Sequence, residues 1–205
     1  MELPSLRQVL TDLLTDIDDS RSSASNDLPQ TTGSTGQTSA LTINSLPSNT
    51  EKALVALHQL FPQLLLSSLD LLDNSLVTRY TLARDVHTPL DITAPIYYVR
   101  SSQTRPSRFV PSTTSRPVYE VRPRAWHCTC PAFIFSAFSS RQEFNPFEYT
   151  GDDETGMDQW GGEMQGDLLA ICKHLLAVVI GERLQVIPTK EVDLDTLANY
   201  AFADA

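Results

Sequence analysis

Three cysteines and one histidine carry the reactive chemistry of this chain. Cys128 and Cys130 sit in the string Trp126-His-Cys-Thr-Cys-Pro-Ala-Phe133, and Cys172 and His174 in Cys172-Lys-His-Leu-Leu-Ala-Val178. On an extended strand residues i and i+2 point to one side, so Cys128 and Cys130 can present two thiolates together. Trp126 shares that side and would shield the sulfurs, whereas His127 points away and is not expected as a ligand. Cys172 and His174 add a third sulfur and an imidazole, completing a Cys3His set that suits one structural, tetrahedral zinc ion with no position open for substrate. Residues two apart in a regular helix diverge by about 200°. Cys172 is therefore expected just before or at the start of a helix, His174 in its first turn, and residues 168–171 as an irregular approach. Trp126, Pro131, Phe133 and Leu175 are the expected supports of the site. The plain alternative is that the cysteines are small buried hydrophobes. Against it, the pattern uses every cysteine of the chain, and the four ligands come as two close pairs.

The elements that must position these residues are legible in outline. Leu6, Val9, Leu10, Leu13, Leu14 and Ile17 form one stripe of an amphipathic helix over residues 1–20. That helix either folds back on the chain's own core or docks on a partner through Leu6, Leu10, Leu13 and Leu14. Residues 21–50 contain 13 Ser or Thr and few apolar side chains, too few to offset the entropy of ordering, and read as a disordered linker. Residues 51–205 then form one domain with flexible insertions at 101–116 and 141–167. Ser48 and Glu51 resemble a capping box for a helix over 52–61, Pro62 interrupts it, and a second apolar helix covers 63–72. Residues 76–82, 96–99 and 118–122 are rich in Val, Ile, Tyr and Thr and predict strands. The apolar run 175–180 predicts a buried helix stopped at Gly181, and 193–201 a last helix. The fold class expected is α+β: N-terminal helices, a small antiparallel β-sheet, and a ββα-like zinc finger packed on a C-terminal helix.

Bulk properties narrow the function. A formal net charge of -10 over 205 residues and a pI near 4.7 make the chain a poor partner for a phosphate backbone. No window approaches the roughly 18–20 apolar residues needed to span a bilayer. An odd number of cysteines, two of them separated by one residue, fits reduced thiols inside a cell better than a secreted disulfide framework. No phosphate-cradling, metalloprotease or nucleophile-elbow motif is present, so an enzyme is not expected. Between Arg79 and Arg124 there are eight Arg and three acidic residues, and Tyr97, Tyr98, Phe109 and Tyr119 offer stacking nearby, which leaves direct nucleic-acid binding as the competing class. His58 and His87 are isolated, and the acidic run 152–154 lacks the spacing of a hard-cation loop.

The ligand order C-x-C then C-x-H resembles a SWIM-type zinc finger. The strings Cys128-Thr-Cys-Pro-Ala-Phe133 and Cys172-Lys-His-Leu-Leu-Ala-Val178 are similar to the small SWIM-domain subunits of Shu complexes, a family of homologous-recombination mediators. The similarity extends loosely over residues 54–201 and leaves out the first 50. The 41 residues between Cys130 and Cys172 are a longer spacer than the family's, which need not disturb the site because loop-closure cost grows slowly with length. The resemblance implies a non-enzymatic nuclear protein that joins RecA-like recombinase paralogues, promotes recombinase filaments in DNA repair, and reaches DNA through its partners, with no membrane and no small-molecule substrate. The alternative within the same motif is a direct nucleic-acid-binding finger of a transposase-derived or chromatin-associated protein.

Overall fold

The computed structural model describes Pro4 and residues 6–24, 46–83, 95–102, 116–138 and 169–203. Helix α1 spans Leu6–Ala24, α2 Ser48–Leu60 and α3 Pro62–Asp73. Strands β1 (Val77–Leu82), β2 (Ile96–Arg100), β3 (Val118–Arg122) and β4 (His127–Cys128) follow, then α4 (Pro131–Phe138), α5 (Lys173–Leu184), β5 (Thr189–Val192) and α6 (Leu194–Ala203). This is the expected α+β class. The two insertions fall largely outside the described residues, as do His87, Phe109 and the acidic run 152–154.

Helix α5 is the axis of the core. All residues from His174 to Gly181 are buried, because α3 and α1 cover it on one side and β3 and β4 on the other. Such encirclement suits a helix whose apolar residues are not confined to one stripe. The sheet order is β4-β3-β2-β1-β5. β1, β2 and β3 pair antiparallel as expected, and β4 extends the sheet antiparallel to β3. β5 joins the far edge parallel to β1, a strand that sequence reading did not find. Register places Val77 opposite Val99, and Tyr97 opposite Val121, which in turn lies opposite Cys128. All five are buried, so the pairing itself delivers Cys128 to the core.

Of the two alternatives for α1, the structure shows the fold back on its own core: Leu10 and Leu14 are buried, Leu13 packs against the same cluster and Leu6 is half-buried, so the stripe offered for a partner lies against α2 and α5. Three local expectations are corrected. Helix α1 runs to Ala24, past the expected boundary at 20. No capping box forms, because Ser48 already lies inside α2, whose N-cap is Pro47 and lacks a side-chain cap. Gly181 does not stop α5, which continues to Leu184 and ends on Gln185 in the left-handed region (φ 52°). Gly181 is instead a point of close approach: a Cβ there would lie 2.7 Å from Ile187 Cγ1 and 2.7 Å from Leu72 Cδ2.

Candidate metal centre

Cys128, at the end of β4, faces inward through its pairing with Val121. Thr129 still bonds to β3, its N–H donating to Glu120 O and its hydroxyl accepting from Glu120 N–H, both at 3.0 Å. The chain then bends at Cys130 and enters α4 at Pro131. The two sulfurs thus converge through a knuckle, where a continuous strand was expected. The Cys130 N–H donates to Cys128 Sγ (3.5 Å) and the Phe133 N–H to Cys130 Sγ (3.3 Å).

On the other side Cys172 is the extended N-cap of α5 (φ -130°, ψ 166°), and the Leu175 N–H donates to its sulfur at 3.4 Å. His174 lies in the first turn, as the divergence of i and i+2 on a helix requires. Residues 169–172 are irregular, again as expected. The start of α5 is fixed from behind by the buried Ser68 hydroxyl, 2.8 Å from Lys173 O and 2.7 Å from Leu64 O.

The ligand atoms of Cys128, Cys130, Cys172 and His174 all lie within 4.8 Å of one another, and all four residues are buried. Tetrahedral zinc with about 2.3 Å bonds to sulfur and about 2.0 Å to nitrogen sets edges of about 3.6–3.8 Å. Cys128 Sγ and His174 Nδ1 stand 3.9 Å apart. The set therefore needs to close by no more than about an ångström to grip such an ion. Three soft sulfurs and an imidazole suit a borderline-soft cation and not calcium or magnesium, which take oxygen.

The three thiols hydrogen-bond to one another. The Cys130 thiol is pushed well down, first because Cys128 and then Cys172 hydrogen-bond to its sulfur. The Cys128 thiol is pushed up by its bond to Cys130, its bond to Cys172 and burial. Cys172, lowered by Cys128 but raised more by Cys130 and burial, ends at about 12. Hydrogen bonds among the three sulfurs thus favour one thiolate and hold the other two thiols protonated.

Of the expected supports, Phe133 and Leu175 act through their backbone N–H groups and are themselves buried. Pro131 is exposed and starts α4. Trp126 does not share a strand face with Cys128. It lies in a turn after a short 3-10 segment (Pro123–Ala125), in the left-handed region (φ 47°), where its N–H bonds to Pro123 O. Its buried indole N–H donates to Ala170 O at 2.8 Å, tying the knuckle to the approach to Cys172. Tyr119 was missed as a site residue. Its ring lies beside His174, centroids 4.6 Å apart and planes at 37°, and only the β2–β3 register that turns it inward would have revealed this. His127 is exposed and rests against Phe133, consistent with its exclusion. Tyr97 and Tyr98, two of the aromatic side chains named for stacking on nucleic acid, are buried.

Set against known proteins, the chain matches no family model and no curated protein. Fold and site define an α+β chain with a buried Cys3His centre able to hold a metal ion. No helix among the described residues is long and apolar enough to cross a membrane.

Proposed function

We propose that the centre holds one structural zinc ion, and that the chain is a non-catalytic subunit of a Shu-type complex of recombinase paralogues that promotes recombinase filaments in homologous-recombination repair. The observation that carries the zinc reading is the meeting of four buried soft donors within 4.8 Å. Four protein ligands complete a tetrahedron and leave no site for substrate, so the metal's work is to hold β4, α4 and α5 together. The assembly reading rests on the two ligand strings and their order. It gains support from α4, which follows the knuckle directly and leaves Phe135 71 % and Phe138 83 % exposed, the kind of apolar surface that marks protein contacts. On this reading DNA is reached through the partners, and the protein works in the nucleus.

Co-expression with a RecA-like paralogue, followed by purification and metal analysis of the same sample, tests both parts. The expected result is a stable complex with one zinc per chain, and loss of zinc and partner together in Cys172→Ser. Full partner affinity without metal would refute the zinc-built docking surface, and zinc without any paralogue binding would refute the assembly reading alone.

A further inference from the structure

His174 is buried, with 4 % of its surface exposed, and its two ring nitrogens have different surroundings. Nδ1 faces the sulfurs, 3.9 Å from Cys128 Sγ. Nε2 is buried with no hydrogen-bond partner among the described residues. An imidazole that ligates a metal is ordinarily aimed by a hydrogen bond from its other nitrogen to a carboxylate, carbonyl or water. No such bond from Nε2 is found among the described residues. The Tyr119 ring instead lies against the imidazole, centroids 4.6 Å apart and planes inclined by 37°.

We infer that His174 takes the cation through Nδ1, and that Tyr119 is the positioning residue that holds the imidazole in that orientation by ring contact. The inference rests on the metal reading above and goes beyond it to the ligating atom and its brace. β3 supplies the geometry: Tyr119 lies opposite Val99, and Val121, two residues on, lies opposite Cys128. One strand therefore aligns a ligand and the brace of another. The tautomer follows, since a metal on Nδ1 leaves the hydrogen on Nε2. The hydroxyl of Tyr119 has no part in this; the ring face does the positioning.

The test loads the full-length chain with an NMR-active cadmium isotope in place of zinc. A metal on Nδ1 is three bonds from Hε1 and four from Hδ2, so coupling is expected at the cysteine Hβ protons and at His174 Hε1 but not at Hδ2. Comparable coupling at both His174 protons would place the metal on Nε2 and overturn the inference while leaving the metal centre intact. Coupling to no cysteine would overturn the metal reading itself. Metal affinity by chelator competition tests the brace: Tyr119→Phe is expected to bind as the parent does, and Tyr119→Leu to lose about tenfold, the low end for loss of a ligand's orienting contact. Unchanged affinity in Tyr119→Leu, or an equal loss in Tyr119→Phe, would remove Tyr119 from the role. The coupling pattern of the parent protein decides the ligating atom even where Tyr119→Leu fails to fold.

Discussion

Truncating Leu14 to alanine separates a helix that belongs to the core from one tethered for a partner. Leu14 is fully buried on the face of α1 that meets α2 and α5, with Leu10 and Ile17 in the same cluster. The far end of the helix is pinned to α5 by the Arg183–Asp18 ion pair. The change removes three carbons, about 2.4 kcal/mol of transfer free energy at about 0.8 kcal/mol per buried CH2. The cavity left behind adds to this, and measured Leu→Ala losses run to about 5 kcal/mol. The expected loss is therefore about 2.5–5 kcal/mol in urea unfolding of the metal-loaded protein. Asp12→Ala, on the exposed side of the same helix, should stay within about 0.5 kcal/mol of the parent. A Leu14→Ala protein as stable as Asp12→Ala would show that α1 does not pack on the core.

Three further outcomes follow from the geometry. Gly181→Ala gains up to about 1 kcal/mol of helix propensity but drives a methyl against Ile187 and Leu72 at 2.7 Å. Overpacking costs about 1–3 kcal/mol, so a net loss is expected, and a stabilised variant would show that the approach of Ile187 is looser. Trp126→Phe removes the indole N–H that bonds to the Ala170 carbonyl, costing about 0.5–1.5 kcal/mol; it should also hasten metal transfer to a chelator, and an unchanged transfer rate would count against the tie to Cys172. Alkaline titration probes the sheet: burial, then Glu120, raises the Tyr98 phenol to about 12, and burial and the Glu182 bond raise Tyr97 beyond that range. An unfolded phenol ionises near about 10, so above that pH the unfolded chain binds fewer protons than the native one. This contribution is thus fully present below about pH 10 and lost as pH rises toward 12 and beyond. Melting temperature should fall over that window, less steeply in Tyr98→Phe; equal slopes would contradict the shift.

The site was more legible than its surroundings, because metal geometry is a strong constraint on spacing. The divergence of residues two apart on a helix put Cys172 before α5 and His174 in its first turn, and both are found there. Strands β1 to β3 showed themselves through Val, Ile, Tyr and Thr. β5 did not, since Thr189, Lys190 and Glu191 are exposed and the strand exists because the edge of β1 offers it a ladder. Gly181 reads equally well as a helix stop or as a contact point, and only the arrival of Ile187 decides. The apolar stripe marks α1 as amphipathic, yet a stripe names no partner, and here the partner is the chain's own α2 and α5. Trp126 escaped strand parity because its backbone turns left-handed one residue before β4.

Cys128, Cys130, Cys172 and His174 are placed to close around one ion. X-ray absorption at the zinc edge of the purified, zinc-loaded protein reads that shell. The expected result is one zinc per chain with three sulfurs at about 2.3 Å and one imidazole nitrogen at about 2.0–2.1 Å. A shell with oxygen donors, or with fewer than three sulfurs, would contradict it.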